Sequence, residues 1–502
     1  MKKLIVSLMV FFLAISPVTA WATPPGFSGG VNNEYEYEEV VFITGEPIKF
    51  VGTVDVKEKE KDHEKTIDYK FKLTPEDKTI DGKLDRNITL LTTYTKRDDK
   101  GQTIGQTVVD KYKETLTIEK DKYELAKDGG YELSKSNVTD NRPASDFYSG
   151  NLKARKYYTI NKDEGEVIVD ISGGNAGYKN FWGSTETEIL DYNITSKRNT
   201  EDEDGDIDTN FWHGTVKVQV SDSLTKTLKY SENEADFSSF YGGHVRVTNS
   251  EMVSRYEYNL PRVEDDAIND RRRAIGRLQL RQKMVPKVER LVIPKFRDIG
   301  GHPAEEYIKK LYSLDVFDEP STFFSPDIPF TRAEFIKGVI KACNIRPSLE
   351  EETKTRRRRR NDPEEISPFK DVEVKDTDYK YIKDGLEKQI ITGVSDDLFA
   401  PDQPLTKAQA ITILIKALGF ESKAPTPGFY TSFTDDGKIP NWAKDSIYVA
   451  KEINLIHGDN MNRINPNKTI TRAETSEMLV RFLEFLQKDL QKDYRENIIN
   501  FH

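Results

Sequence analysis

The chain has 502 residues, a formal net charge of −10 at pH 7 and a single cysteine. This length predicts about three domains, and the acidic balance argues against nucleic acid or an anionic membrane surface as the partner. One cysteine excludes an intramolecular disulfide framework. Cys343 falls in an apolar stripe at helical spacing, so we expect a small core residue there rather than a nucleophile.

The N-terminus has the pattern of a secretory signal peptide over residues 1–22. Two lysines precede an apolar run from Leu4 to Ile15, and Ala20-Trp21-Ala22 offers an Ala-x-Ala cleavage site. The apolar run, of about a dozen residues, is too short to span a bilayer. We therefore expect a secreted protein that has no membrane span after cleavage.

Residues 23–260 show a period of two. Val216, Val218 and Val220 alternate with Lys217 and Gln219, which predicts a strand with one buried face. Glycine-containing turns separate many such stretches. Half-polar strands joined by short turns indicate antiparallel sheets. We expect an all-β region of one or two sandwich-like domains, and the sequence leaves their number open.

Four aspartates in this region have the composition of a calcium loop: Asp202, Asp204, Asp206 and Asp208. Their spacing differs from that of an EF-hand, so a solvated acidic turn is the favoured interpretation and an extracellular calcium site the alternative. We expect no other metal or cofactor. The sequence lacks His-Glu-x-x-His, Gly-x-Ser-x-Gly and a glycine-rich phosphate loop. We therefore predict a protein without catalytic residues.

Two strongly charged segments follow. Residues 261–295 are rich in Arg, Glu and Asp and carry apolar Ile268, Ile275 and Leu278, so we expect a charged linker helix. Residues 347–368 form an insert with five consecutive arginines, Arg356 to Arg360. We expect a solvated loop there, with attraction to an anionic polymer as the alternative.

A unit of fixed spacing occurs three times near the C-terminus. Each copy has Phe-x-Asp, then an apolar residue, Pro two positions later and Thr five positions after that. The copies are Phe324-Pro326-Thr331, Phe399-Pro401-Thr406 and Ile464-Pro466-Thr471, preceded by Asp298, Asp371 and Asp435. This spacing predicts one supersecondary unit stacked three times. The units occupy residues 296–346, 369–421 and 433–486, and a tail covers 487–502.

Each unit is predicted to contain two helices. Gly393 and Gly458 stand where the first helix would end in a left-handed residue. The second helix begins with a capping box, in which the threonine oxygen accepts the N3 amide and the Glu or Gln side chain reaches back. The capping pairs are Thr331 with Glu334, Thr406 with Gln409, and Thr471 with Glu474.

A basic residue follows each capping threonine: Arg332, Lys407 or Arg472. At this first helical position a cation faces the positive end of the helix dipole, which costs about 0.3–1 kcal/mol. A first-turn cation beside exposed amides is understandable if the site receives an anion. The alternative is a surface cation paired with a neighbouring carboxylate.

These features resemble the S-layer homology family, in which Phe-x-Asp, an apolar helix, Gly, Phe-x-Pro and Thr-Arg-Ala-Glu recur in three tandem copies. The resemblance implies an all-α C-terminal module with three prongs. It also implies non-covalent anchoring to the secondary cell wall polysaccharide of the peptidoglycan, which commonly carries pyruvate ketals. A pyruvate ketal has a carboxylate, the anion that the helix-start cations would receive. The expected location is the cell wall or S-layer surface.

The resemblance also implies which residues bind the polysaccharide: Arg332, Arg472, Lys407, Asp298, Asp371, Asp435, Trp442, Gly393 and Gly458. The third repeat matches the family best. Trp442 would pack on a sugar or fill the prong, and we favour core packing. Lysine cannot make the planar bidentate contact of arginine with a carboxylate. We therefore expect Lys407 to mark a weak or purely structural site.

The combined interpretation is a non-enzymatic, wall-anchored surface protein. Its β-rich region would be displayed as a surface-layer or scaffold component, in contact with other copies or other surface proteins. The alternative is a polysaccharide-active enzyme, or an adhesin, tethered by the same module.

Overall fold

The computed structural model describes residues 28–61, 63–201, 207–232, 242–264, 267–293, 295–317, 322–345, 365–425 and 428–490. The predicted signal peptide and the Arg356 to Arg360 run lie outside these residues. So do Asp202, Asp204 and Asp206, and the side chain of Asp208 is not described either. Within the described ranges, no helix is long and apolar enough to cross a membrane.

The N-terminal half of the described chain forms an antiparallel sheet of 15 strands. The strands are β1 Val31–Asn32, β2 Tyr37–Val41, β3 Ile48–Lys61, β4 Glu64–Pro75, β5 Gly82–Arg97, β6 Gln102–Ile118, β7 Asp121–Leu125, β8 Tyr131–Asn141, β9 Asp146–Ile160, β10 Gly165–Lys179, β11 Gly183–Glu201, β12 Ile207–Ser231, β13 Gly243–Glu264, β14 Ala267–Lys283 and β15 Lys287–Arg290. Most strands pair with their neighbours in sequence, as short hairpin connections require.

The sheet curls until its first strands meet its last. Asn33 donates to the side chain of Gln282 at 2.7 Å, and the Tyr256 hydroxyl donates to the carbonyl of Gly29. Inward-facing residues of both ends of the sheet share one hydrophobic core. The predicted β-rich region is therefore confirmed. The described strands form one curled sheet, so the predicted sandwich is not confirmed. Period two predicts strands and does not determine how their sheet closes.

The predicted linker helix over residues 261–295 is wrong. Its longest element is strand β14, which pairs with β13 from Glu251↔Lys283 to Glu264↔Ala267. Two of its arginines form ion pairs with acidic residues of β13, Arg277 with Glu257 at 2.9 Å and Arg281 with Glu251. Cross-strand charge pairs stabilise a sheet as i,i+4 pairs stabilise a helix. The charge pattern alone therefore could not distinguish the two structures.

The interior of the curled sheet contains a buried ion network. Arg86 donates to Glu39 at 2.7 Å and to Glu114 at 2.9 Å, and Lys156 donates to the other oxygen of Glu114 at 3.0 Å. Tyr158 also donates to Glu114, at 3.0 Å. Burial raises the pKa of Glu114, but Arg86 and Lys156 outweigh it and lower the pKa to about 2. The carboxylate is therefore charged and fully paired at neutral pH.

The C-terminal half contains six α-helices within the described residues, two in each repeat. They are α1 Glu305–Ser313, α2 Arg332–Cys343, α3 Tyr379–Glu387, α4 Lys407–Leu418, α5 Asn441–Glu452 and α6 Arg472–Glu484. A π-helical segment, Phe485–Asp489, continues α6. The helices share one hydrophobic core, and the predicted helical C-terminal region is confirmed.

Three backbone hydrogen bonds join the repeats in a closed ring. Phe330 N–H donates to Ile470 at 3.0 Å, Leu405 N–H to Phe330 at 2.9 Å, and Ile470 N–H to Leu405 at 3.0 Å. Each residue immediately precedes the capping threonine of its repeat. The starts of α2, α4 and α6 therefore converge around a pseudo-threefold axis.

Gly393 and Gly458 do not end the first helices, contrary to the prediction. The left-handed residues after those helices are Gln389 and Asn454, with φ of 57° at each. A Cβ on Gly393 would lie 2.2 Å from the carbonyl oxygen of Ser395, and a Cβ on Gly458 would lie 2.6 Å from the Asn462 side chain. Close approach of the chain, rather than a left-handed backbone, requires glycine at both positions.

The sheet and the helical repeats are packed against each other. The indole N–H of Trp182 donates to the carbonyl of Ala342 at 2.9 Å, and Ala144 N–H donates to the carbonyl of Ala417 at 2.8 Å. Trp182 is only 1% exposed and belongs to the hydrophobic core of the helices. The β region is therefore docked onto the module through buried contacts.

Replacing Trp182 with phenylalanine tests this docking. The change keeps most of the ring but leaves the Ala342 carbonyl without its donor, which costs about 1–3 kcal/mol. We expect the urea midpoint of helix unfolding, followed by circular dichroism, to fall accordingly. Trp442→Phe is the control, because Trp442 is 58% exposed and its change should stay within about 0.5 kcal/mol. Equal effects of the two variants would contradict the docking.

Glu114→Gln tests the buried network. Removing the carboxylate leaves Arg86 and Lys156 without their shared partner, which should cost about 3–5 kcal/mol in unfolding free energy at pH 7. The folded-state pKa of Glu114 is depressed from 4.5 to about 2, so its stabilisation is lost as pH falls through that window. The variant should therefore lose less stability than the wild type between those pH values. A parallel acid response in denaturant titrations would rule out this role.

Candidate functional site

The start of each second helix lies on the next repeat. In α2, Arg332 N–H donates to the carbonyl of Gln403 at 3.1 Å and Ala333 N–H to that of Pro401 at 3.0 Å. The equivalent bonds run from Lys407 to Lys468, Ala408 to Pro466, Arg472 to Ile328 and Ala473 to Pro326. Repeat one therefore contacts repeat two, two contacts three, and three returns to one. We call these three contacts the junctions.

Capping boxes complete the helix starts at all three junctions. Thr331 accepts a hydrogen bond from Glu334 N–H, and the Glu334 carboxylate accepts one from Thr331 N–H at 3.0 Å. The pairs Thr406 with Gln409 and Thr471 with Glu474 do the same. The first three helical amides at each start are thus already bonded. An incoming anion would therefore meet the basic side chain rather than free amides.

The Phe-x-Asp aspartates hold the loop at each junction. Asp298 accepts from Phe324 N–H at 2.8 Å and from Ser325 N–H at 2.6 Å, and Ser325 has a φ of 56°. Burial raises the pKa of Asp298, but these backbone bonds and Arg472 outweigh it and lower the pKa. Asp371 and Asp435 accept the equivalent pairs of bonds. The three aspartates therefore bind the loop backbone and fix its left-handed residue.

Arg332 is clamped between repeats one and two. Its Nε donates to the carbonyl of Phe399 at 3.0 Å, and one terminal nitrogen donates to that of Thr392 at 3.1 Å. The guanidinium lies over the Phe399 ring, 4.8 Å from its centre, and the residue is 8% exposed. Burial lowers the pKa of Arg332, and nearby Asp371 opposes that effect. Gly393 directly follows the accepting Thr392.

Arg472 occupies the equivalent place between repeats three and one. Its guanidinium lies over Phe324, 4.5 Å from the ring centre, and the residue is 6% exposed. A terminal nitrogen is 3.6 Å from the Glu334 carboxylate of repeat one. The same stacked arrangement therefore occurs at both arginine junctions. Asp318, which stands six residues before Phe324 as Gly393 stands six before Phe399, lies outside the described residues.

Lys407 lies at the third junction, where Ile464 replaces the phenylalanine. Burial lowers the pKa of Lys407, and the negative charge of Glu474 is the largest effect that opposes this shift. This junction therefore combines a lysine with an aliphatic residue instead of the stacked arginine and phenylalanine. Gly458 and Asp435 belong to the same repeat as Ile464.

Trp442 is not a core residue, so the favoured interpretation of it was wrong. It lies in the first turn of α5 and is 58% exposed. Tyr430 is more exposed still, and Lys444 lies over its ring at 5.2 Å from the centre. The third repeat and the segment just before it therefore present exposed aromatic side chains.

Sequence reasoning missed the phenylalanines on which the two arginines stack. Phe324 and Phe399 are buried and were recognised only as the apolar positions of the repeat. The recurrence of phenylalanine together with arginine could have indicated this stacking, since the two side chains can form a cation–π pair. The described residues contain no group of three or more His, Cys, Asp or Glu suited to a metal ion.

Comparison with known proteins matches the family model of the S-layer homology domain at residues 295–336, 368–411 and 432–476. The chain is 33% identical over 135 residues to an endoglucanase of Bacillus sp. strain KSM-635, covering 26% of this chain and 14% of the relative. It is 33% identical over 205 residues to the surface-layer 125 kDa protein of Lysinibacillus sphaericus, covering 40% of this chain and 16% of the relative. A cellulosome-anchoring protein of Acetivibrio thermocellus is 33% identical over 104 residues, covering 21% and 23%.

The chain thus spans less than a quarter of the length of each of these relatives. The similarity to S-layer and cell-surface proteins, together with the matched domains, indicates a secreted protein associated with the cell wall. The C-terminal half of this chain contains three S-layer homology domains, which imply that it is a surface protein anchored to the cell wall.

Proposed function

We propose that the three junctions anchor the protein, without a covalent bond, to acidic secondary cell wall polysaccharide bearing pyruvate ketals. The observation that carries this proposal is the clamped guanidinium of Arg332, repeated by Arg472. Two carbonyls and a ring hold Arg332 in one orientation. A fixed cation loses little conformational entropy when it binds a ligand.

The chemistry of arginine suits a carboxylate. A guanidinium has five N–H donors, and the two carbonyls take only two of those of Arg332. The remaining donors can form charge-assisted hydrogen bonds to a ketal carboxylate. The low exposure of the site strengthens such bonds, because less water screens the charges. Asp371 holds the loop beside this site, and Gly393 allows its close approach.

The junctions are not equivalent under this proposal. Arg332 and Arg472 present planar donors over a phenylalanine, whereas the equivalent positions of the remaining junction are Lys407, with a single ammonium, and Ile464. Lysine binds anions as a point charge without the bidentate geometry. The junction of repeats two and three should therefore contribute least. Two engaged junctions still gain affinity from effective concentration when one polymer reaches both.

Trp442 gives the third repeat an additional contact for sugars. An exposed indole in the first turn of α5 offers an apolar face to a pyranose ring. A ketal carboxylate bound at a junction and a sugar on this face would belong to one glycan chain. The exposed aromatic surface therefore fits polysaccharide better than a small anion.

The β region is proposed to be a displayed, non-catalytic surface-layer or scaffold component. The second candidate is a tethered polysaccharide-active enzyme, which the names of some relatives favour: an endoglucanase and an exoglucanase. Those similarities cover 26% and 38% of this chain. Assaying the full chain for hydrolysis of cell-envelope glycans distinguishes these two functions. Hydrolysis would support the tethered enzyme and contradict a non-catalytic display role.

Removal of the pyruvyl groups tests the ligand. Full-length protein should sediment with purified cell walls, and retention should fall at least about tenfold, or 1.4 kcal/mol, when the ketals are removed by mild acid. Walls carried through the same procedure without acid are the control. Unchanged retention on ketal-free walls would refute carboxylate recognition.

The ranking of the junctions is tested by two matched substitutions. Arg472→Lys keeps the charge but removes the planar donors, so we expect about tenfold weaker wall retention. Lys407→Gln removes a charge at the junction ranked lowest, and we expect less than about a threefold loss, or 0.7 kcal/mol. Thermal unfolding of both variants controls for folding. A larger loss for Lys407→Gln would reverse the ranking.

A further inference from the structure

The β region bonds to carbonyls near the C-terminal ends of α2 and α4 and in the π-helical segment that continues α6. The last carbonyls of a helix have no partner within it. Here Ala342 near the end of α2 accepts from the Trp182 indole, and Ala417 near the end of α4 accepts from Ala144 N–H. Leu486, in the π-helical segment that continues α6, accepts from the Asn180 side chain at 3.4 Å. One corner of the β region therefore donates hydrogen bonds to backbone carbonyls of all three repeats.

The same corner also closes the apolar end of the helical core. Tyr178 of β10 and Trp182 of the turn before β11 belong to the β region, yet both are buried in the core of the helices rather than that of the sheet. Phe147 packs on Phe420 with ring centres 5.7 Å apart. Large aromatic residues dominate the free energy of such contacts. Removing the β region would expose this surface to water.

The two ends of the helices have different partners. Their N-terminal ends form the junctions, and their C-terminal ends contact the sheet. A helix of 12 residues such as α2 is about 18 Å long. The sheet therefore lies at the end of the bundle opposite the junctions, at about this distance.

From this geometry we infer that the β region and the three repeats form a single rigid body, which holds the sheet away from the wall in a fixed orientation. The direction relative to the wall rests on the proposed function, since the junctions are the surface that would bind the polysaccharide. The β region is thus a structural part of the anchor and not cargo on a flexible tether.

An engineered disulfide between Ala144 and Ala417 tests the inference. Both residues are buried in the same core, and their backbones are joined by the 2.8 Å hydrogen bond, which suits the Cα separation of about 4.4–6.8 Å that a disulfide needs. The full chain would carry Ala144→Cys and Ala417→Cys in a Cys343→Ala background. The control pairs Ala144→Cys with Ala408→Cys, at the other end of α4.

We expect the first pair to cross-link completely under mild oxidation and the control pair not to. Oxidised and reduced protein should be retained on purified walls within twofold of each other. Equal cross-linking of the control pair, or failure of the first pair in a folded protein, would show that the sheet is not docked. A tenfold loss of retention on oxidation would show that the sheet must leave the bundle for binding. If the unmodified protein does not bind walls, the proposed function fails, while the cross-linking result still decides the docking.

Discussion

The ring of backbone hydrogen bonds through Phe330, Leu405 and Ile470 is the constraint on which the helical half depends. Each of the three residues donates to one repeat and accepts from another, so no repeat can be removed without breaking two of the bonds. The ring also places each capping threonine at the edge of the neighbouring repeat. Each junction is therefore built from residues of two repeats, and all three repeats are needed to form the three junctions.

At both ends of the second helices, backbone amides and carbonyls that lack a partner within the helix bond to other parts of the molecule. The N-terminal amides are satisfied by the next repeat and by the capping threonine. The carbonyls near the C-terminal ends accept hydrogen bonds from Trp182, Ala144 and Asn180, which lie in turns between strands of the β region. Since buried backbone groups rarely remain unbonded, these contacts fix both the ring of repeats and the place of the β region.

Sequence reasoning predicted the elements that local patterns determine. The repeat spacing predicted two helices per unit, and period two predicted the strands. It failed where long-range contacts decide. The arginines of β14 looked helical because charge spacing does not report a partner strand, and Gly393 was misassigned because close approach across a turn cannot be read from one sequence. The docking role of Trp182 depends on an element 160 residues away in the chain.

The arginines at the helix starts were the main sign of an anion site, and the structure supplies a second reason for them. A cation at this position opposes the helix dipole by about 0.3–1 kcal/mol. The carbonyls of Phe399 and Thr392 and the Phe399 ring offset that cost without any ligand. Arg332 therefore has a structural role as a brace between repeats. The same bracing holds the guanidinium in one orientation without a ligand. Under the proposed function, stability of the junction and recognition of a carboxylate would therefore depend on one side chain.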